Sequence, residues 1–320
     1  VPFLYRAAAP ADRPALLRLF SAAFGETADR AVWAWKYDEG PHRAPSAVAL
    51  DAGRIVGFYG GWATRYRGAG GDVPGAAAVD VMTDPAARAL GGGLFAGLAA
   101  AFSDLCREAG MPFYFGFPHE RHRHVGERKA GYASVEAAGQ WSRPLDRRKL
   151  VGPVRRRLLR ACVGDRLSAG HDALAEALHA RPGWRTDRSR VTLAWRFAPH
   201  AGVSYRLVEV LDRRDASRGY AAVRIVGERA LLVDFQVRDE ESGDVGDLLE
   251  AVRAGLQGEA VRLELRAPSR SRLGARLADE FGFLPEASDC HFEIRPLDPA
   301  FDALAAGRVF DYRFSDHEIF

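Results

Sequence analysis

The chain has 320 residues, 48% of them hydrophobic and 27% charged; at about 150 residues per domain this points to two domains with cores large enough to form without disulfides or metals. Its 45 basic and 42 acidic residues leave a net charge of +3, too balanced for a general nucleic-acid binder, and the near-average composition excludes disorder and collagen-like structure. No apolar run reaches the ~18–20 residues of a membrane span, and three scattered cysteines (Cys106, Cys162, Cys290) suit a reducing cytoplasm, with no disulfide framework and no metal-ligand spacing.

The opening segment, Val1-Pro-Phe-Leu-Tyr-Arg6, has no basic stretch ahead of a long apolar one, so no signal peptide is expected. Residues 10–24 place Leu16, Leu17, Leu19, Phe20, Ala23 and Phe24 at helical spacing after Pro10-Ala-Asp12. Ser46 to Leu50 and Arg54 to Tyr59 flank the turn Asp51-Ala-Gly53 and read as a hairpin. A third strand is expected around Ala63 to Arg67. A fourth, Ala76-Ala-Ala-Val-Asp-Val-Met82, leads into Thr83-Asp-Pro85. A long helix from about Arg88 to Ala109 ends at Gly110-Met-Pro112, and Phe113 to Phe117 reads as a buried strand. A charged stretch from His119 to Lys129 then ends at Gly131-Tyr132.

Residues 146–188 read as a helical linker, basic at Arg147, Arg148, Lys149, Arg155, Arg156, Arg157 and Arg160, with a helix over about Ser168 to Ala180. A solvated interdomain face is the plainer reading of that charge, a membrane or nucleic-acid patch the rival. The second half repeats the ingredients: a strand at Tyr205 to Leu211, a hairpin around Gly227-Glu228, a helix from about Asp244 to Leu256, and a strand at Val261 to Leu265. A helix from Ser269 to Glu280 and then Phe281-Gly-Phe283 complete it. The order of elements suggests two copies of one fold, with scarcely any matching residues.

Chemistry concentrates in Val79-Asp-Val-Met-Thr-Asp-Pro-Ala-Ala-Arg88-Ala-Leu-Gly91-Gly-Gly93. Here a strand enters a Gly-rich turn that opens a helix. The first four N–H groups of a helix lack intrahelical partners, the helix dipole adds positive charge, and glycines allow close approach, so the turn suits a pyrophosphate. Arg88 adds a fixed charge. The dinucleotide-binding and Walker spacings are absent. The competing reading is a glycine turn used for close helix–strand packing.

Arg88-Ala-Leu-Gly91-Gly-Gly93 resembles the Arg/Gln-x-x-Gly-x-Gly/Ala signature of the GNAT N-acetyltransferase superfamily. Trp33-Ala-Trp35-Lys-Tyr37, Ile55-Val-Gly57, Gly116-Phe-Pro118 and Leu193-Ala-Trp-Arg196 resemble segments of its two-domain bacterial acyltransferases. The resemblance implies an α/β (α+β) chain of two tandem domains, each a mixed, mostly antiparallel sheet flanked by helices. A catalytic acyl-CoA-binding domain would span 1–145, and a degenerate one, 189–320, would help form the acceptor cleft. Acetyl-CoA or another acyl-CoA would be the donor, with no metal. Its pyrophosphate would lie on Arg88, Ala89, Leu90, Gly91, Gly92 and Gly93, and its pantetheine arm along Val81, Met82 and Thr83, with the thioester where the fourth and fifth strands splay.

The implied reaction is direct attack of a primary amine on the thioester, with an amino-sugar nucleotide as favoured acceptor and cytoplasmic location. An acyl-carrier-protein or aminoacyl-tRNA donor is one alternative, a non-catalytic binding protein another. The slot where relatives often hold an acid Tyr carries Glu127, for which the plainer role is a solvated helix residue. His119, in a cluster with His122 and His124, is a second proton carrier, against a surface role. Asp80, a carboxylate in an apolar strand, is a third, against a buried hydrogen bond. Trp33, Trp35 and Tyr37 alternate and could wall the acceptor pocket, against core packing. Acidic residues from Asp234 to Glu241 stand where a second cradle would fall and would repel a pyrophosphate. The aromatic and acidic tail from Phe310 to Phe320 could return over the cleft, against ordinary packing.

Overall fold

The hairpin turn closes as its residues dictate: Ala52 and Gly53 take left-handed φ of 46° and 83°, and Asp51 faces Arg54. The computed structural model describes residues 3–68, 71–89, 93–145, 159–199, 203–256 and 258–317. In chain order the elements begin with β1 (Leu4–Ala7), α1 (Arg13–Phe24), α2 (Arg30–Tyr37), β2 (Ala47–Asp51), β3 (Arg54–Gly68) and β4 (Gly71–Thr83). Then come α3 (Pro85–Ala89), α4 (Leu94–Glu108), β5 (Phe113–Gly116), α5 (Glu120–Ala130), β6 (Ala133–Ala137), β7 (Gln140–Pro144) and β8 (Arg160–Gly164). The series continues with α6 (His171–His179), β9 (Arg185–Thr186), α7 (Arg190–Arg196), β10 (Arg206–Leu211), β11 (Ser217–Val226) and β12 (Arg229–Val237). It ends with α8 (Asp244–Leu256), β13 (Arg262–Arg266), α9 (Arg272–Asp279), β14 (Leu284–Glu286), β15 (His291–Pro296) and α10 (Ala303–Arg308).

These elements form two units whose sequences interleave. Residues 1–66, 71–135 and 290–308 make the first; residues 67–70, 136–289 and 309–320 make the second. The first sheet runs β1-β2-β3-β4-β5-β15-β6 and the second β14-β7-β13-β12-β11-β10-β8. The halves therefore exchange strands: β15, from the end of the chain, sits inside the first sheet, and β7 sits inside the second. Of the stretch 146–188, the described residues belong to the second unit, as β8, α6 and β9. The basic residues Arg147 to Arg157 lie outside the described residues.

Each sheet is covered on both faces, and strand alternation explains how. In the first unit Val48, Phe58 and Met82 point to one side, where they meet Leu16 and Leu19 of α1 and Trp33 of α2. Tyr59 points to the other, among Leu98 and Phe102 of α4 and Tyr114 of β5. Gly57 allows α4 close to the sheet, since a Cβ there would lie 3.1 Å from Leu98. In the second unit Val208, Val223 and Leu263 pack on α8 and α9 through Leu248, Val252 and Leu277. Tyr220, Leu231 and Val233 pack on Leu174 of α6, Leu193 of α7 and Phe314 of the tail. The tail thus packs in the second unit, where Arg313, fully buried, donates to the Phe235 carbonyl at 3.1 Å.

The exchanged strand should carry measurable stability. Ile294 of β15 has no exposed surface, so Ile294→Ala should cost about 2–5 kcal/mol in urea denaturation. Leu284→Ala, at a position 63% exposed, should stay within about 0.5 kcal/mol of wild type.

Candidate functional site

β4 and β5 run parallel but share a single register pair, Ala77 with Phe115. β5 ends at Gly116 while β4 continues to Thr83, so β4 runs on past the end of its partner strand. Farther along β4, Asp80 takes a left-handed φ of 48°, costly for a non-glycine residue. Its neighbours hold it there. Lys36 Nζ donates to Asp80 Oδ2 at 2.9 Å, and the Tyr37 hydroxyl donates to the same oxygen at 2.6 Å. The Lys36 and Asp80 side chains are only 9% and 5% exposed, so the pair is strongly coupled and expensive to break. Asp80 and Met82 face the α1–α2 layer, as strand alternation predicts, and Val81 stands exposed beyond the kink.

Lys36 is the cation that makes a buried Asp80 tolerable. Trp33-Ala-Trp35-Lys-Tyr37 is helical, so alternation does not place its rings on one face. Trp33 and Tyr37, one turn apart, stack at 4.7 Å, and Trp33 meets Phe58 at 5.5 Å. Trp35 turns away, to Trp62 at 5.7 Å. The readable start signal was Asp29, whose side chain accepts from the amides of Ala31 and Val32.

Beyond the end of β4, the single long helix expected from Arg88 to Ala109 is instead two, α3 and α4. Asp84 caps α3 by accepting from the Ala86 amide at 2.8 Å. α4 begins after Gly93, whose φ is 73° and which supplies no side-chain cap. Among the described residues a Cβ built on Gly93 meets no atom within 4 Å, so this helix start, which has no side-chain cap, suits an anionic group. Leu90, Gly91 and Gly92 lie outside the described residues. Arg88 is exposed on α3. Its charge reaches α5, where burial, then His119, Arg121 and Arg88, hold His122 below the usual histidine range. The ground before α4 is therefore cationic.

His119 caps α5 from the end of β5, with Nδ1 3.8 Å from the Cys290 thiol. Glu127 lies on α5 and accepts from Arg123 at 2.8 Å. The three expected proton carriers are thus not brought to one point. Asp80 is engaged by α2, Glu127 by its own helix, and His119 follows the outlet strand. In the second unit Asp234 is fully buried, 2.9 Å from Arg188 and accepting from Tyr220 at 2.8 Å. α8 opens with Asp244 and Asp247 in its first turn, a start that repels a pyrophosphate.

Removing one partner of the Lys36–Asp80 pair should cost about 3–5 kcal/mol, because the other charge stays buried. Lys36→Met and Asp80→Asn should each lower stability by that order. The double variant, neutral and with an Asn that tolerates left-handed φ, should lose clearly less than the sum in a denaturation cycle.

A family model described as an acetyltransferase (GNAT) domain matches residues 4–133. Among solved structures, a GCN5-related N-acetyltransferase from Anabaena variabilis superposes with a TM-score of 0.70 at 15% identity, over 92% of this chain and 73% of that one. A probable N-acyltransferase from Enterococcus faecalis gives 0.69 at 11% identity, over 93% and 73%. A tandem GNAT protein from the clavulanic acid biosynthesis pathway gives 0.59 at 16% identity, over 93% of this chain and all of that one. No curated protein matches the sequence. Residues 4–133 thus match a GNAT acetyltransferase domain, and the chain shares its fold with GCN5-related N-acetyltransferase structures, a tandem GNAT protein among them.

Proposed function

We propose that the protein transfers an acetyl or longer acyl group from CoA to a primary amine by direct attack. The observation that carries this reading is the start of α4, which has no side-chain cap, beyond the end of two parallel strands that pair at one register point. The α4 amides, with Gly93 and the guanidinium of Arg88, hold the pyrophosphate. The stretch of β4 from Val81 to Thr83, past the end of β5, hydrogen-bonds the pantetheine amides as an added strand would. Bound there, the thioester supplies an activated acyl carbon. Asp80, fixed by Lys36 and Tyr37, holds the end of β4 in place to receive it. His119, three residues beyond β5, donates the proton that the departing thiolate takes up. Glu127 balances Arg123 beside it. The donor end of this reading rests on geometry. An amino-sugar nucleotide remains our favoured acceptor class, on family analogy.

Calorimetric titration with acetyl-CoA tests the donor site. Arg88→Glu reverses a charge at the pyrophosphate and should weaken binding about 10- to 100-fold, while wild-type binding should fall as salt rises. Equal affinity in wild type and variant would remove Arg88 from the site. Absence of wild-type binding would overturn the donor assignment.

A further inference from the structure

Glu293 came from the part of the sequence assigned to the second domain, and the fold delivers it to the first. It stands on β15, inside the first sheet, and is only 1% exposed. Its Oε1 is buried with no hydrogen-bond partner. Across the sheet it pairs in register with Gly116, the last residue of β5. A Cβ on Gly116 would lie 3.7 Å from that of Ala78 on β4. Ala78, Gly116 and Glu293 therefore form a row on one face of three adjacent strands. The first two lack bulk, so small residues alone separate the end of β4–β5 pairing from the buried carboxylate. Above it α5 has also given up a side chain: a Cβ on Gly126 would lie 3.3 Å from Glu293 Oε2.

We propose, resting on the donor reading above, that Glu293 is the proton acceptor for the attacking amine. The nitrogen–carbon bond forms as the carbon–sulfur bond breaks. The proton on nitrogen passes to Glu293, directly or across one water, and the electron pair leaves with the CoA sulfur, which His119 protonates. Burial first, and then the charge of Glu127, push the Glu293 carboxyl up to about 8, with Arg123 opposing and Glu120 adding to the rise. These three are the charged groups that α5 turns toward it. Tyr132, after α5, has its hydroxyl 2.5 Å from that of Tyr59. His291 and Arg295 flank Glu293 on β15, the former paired with Glu120. Tyr114 is the titratable residue of β5, Glu136 of β6 and Arg308 of α10. Glu127 accepts from Arg123 at 2.8 Å, whereas Glu293 Oε1 has no such partner and its carboxyl exchanges a proton near neutral pH.

Linkage supplies a readout that needs no acceptor. A free glutamate loses its proton near 4.5, and Glu293 in the fold loses it near 8. Between those values the folded chain holds a proton that the unfolded chain has released. Glu293 therefore lowers stability progressively as pH rises through that window and costs nothing below it. Glu293→Gln removes the effect, so its unfolding midpoint should gain on wild type between about pH 5 and about pH 9.

The test compares wild type, Glu293→Gln and Glu293→Asp in acetyl-CoA calorimetry, CoA release with a panel of primary amines across pH, and thermal unfolding. Glu293→Gln should bind acetyl-CoA within about twofold of wild type and lose kcat by about 100-fold or more. Its profile should lack the wild-type rise toward pH 8, and Glu293→Asp should keep part of both. Wild-type kcat and pH profile in Glu293→Gln would overturn the proposal and leave the donor site standing. Wild type that binds acetyl-CoA but releases no CoA to any amine would overturn it as well. Wild type that binds no acetyl-CoA would overturn the donor reading itself. Should the Gln variant fail to fold, Glu293→Asp carries the same comparison.

Discussion

A buried ion pair holds the one strained residue of the fourth strand. Asp80 keeps a left-handed backbone near the end of β4, three residues past the register pair with β5. Such a conformation persists only where surroundings over-determine it. Lys36 and Tyr37 do so by reaching one carboxylate oxygen from α2. The chain of dependence runs outward from that contact. α2 must dock for Lys36 to arrive, and it docks with Trp33 against Phe58.

The first sheet carries two buried carboxylates with opposite treatments. Asp80 lies under α2 with a cation and a hydroxyl on one oxygen. Glu293 lies under α5 with one oxygen unbonded. A buried carboxylate with a charge partner is a structural element that is costly to break. One without a direct partner pays for burial by holding its proton longer. The difference tracks the helices above: α2 presents Lys36 inward, whereas α5 presents Gly126 and keeps Arg123 occupied with Glu120 and Glu127. Proteins that do proton chemistry near neutral pH need the second arrangement and must offset its cost through packing elsewhere.

Local signals made much of this visible in the sequence. The hairpin about Asp51-Ala-Gly53, the strand ending at Thr83, the aromatic strand after Pro112 and the helix stop at Gly131 all follow from turn chemistry and period, and all occur. Period misled at Trp33 to Tyr37, where an alternating pattern sits on a short helix begun by Asp29. It also misled at Gly93, where an apolar helix pattern meets a left-handed residue. The role of Lys36 was hidden because its partner lies far along the chain. Glu293 was hidden for a deeper reason: nothing within His291 to Pro296 distinguishes a strand that closes its own domain from one that closes another. Strand pairing over such separations depends on complementary sheet edges, and neither edge shows in a local window.

The exchange of strands also bears on how the molecule can be made. Synthesis proceeds from the N-terminus, and domains usually fold as they emerge. Here the first sheet cannot finish when its own helices and strands leave the ribosome, because the strand between β5 and β6 is β15, encoded after the entire second sheet. Through that interval β5 presents a bare, aromatic edge of the kind that templates unwanted pairing. The second sheet, which needs only β7 from upstream, can close first. Translation thus leaves the first sheet open until β15 is made, and Glu293 arrives with that late strand.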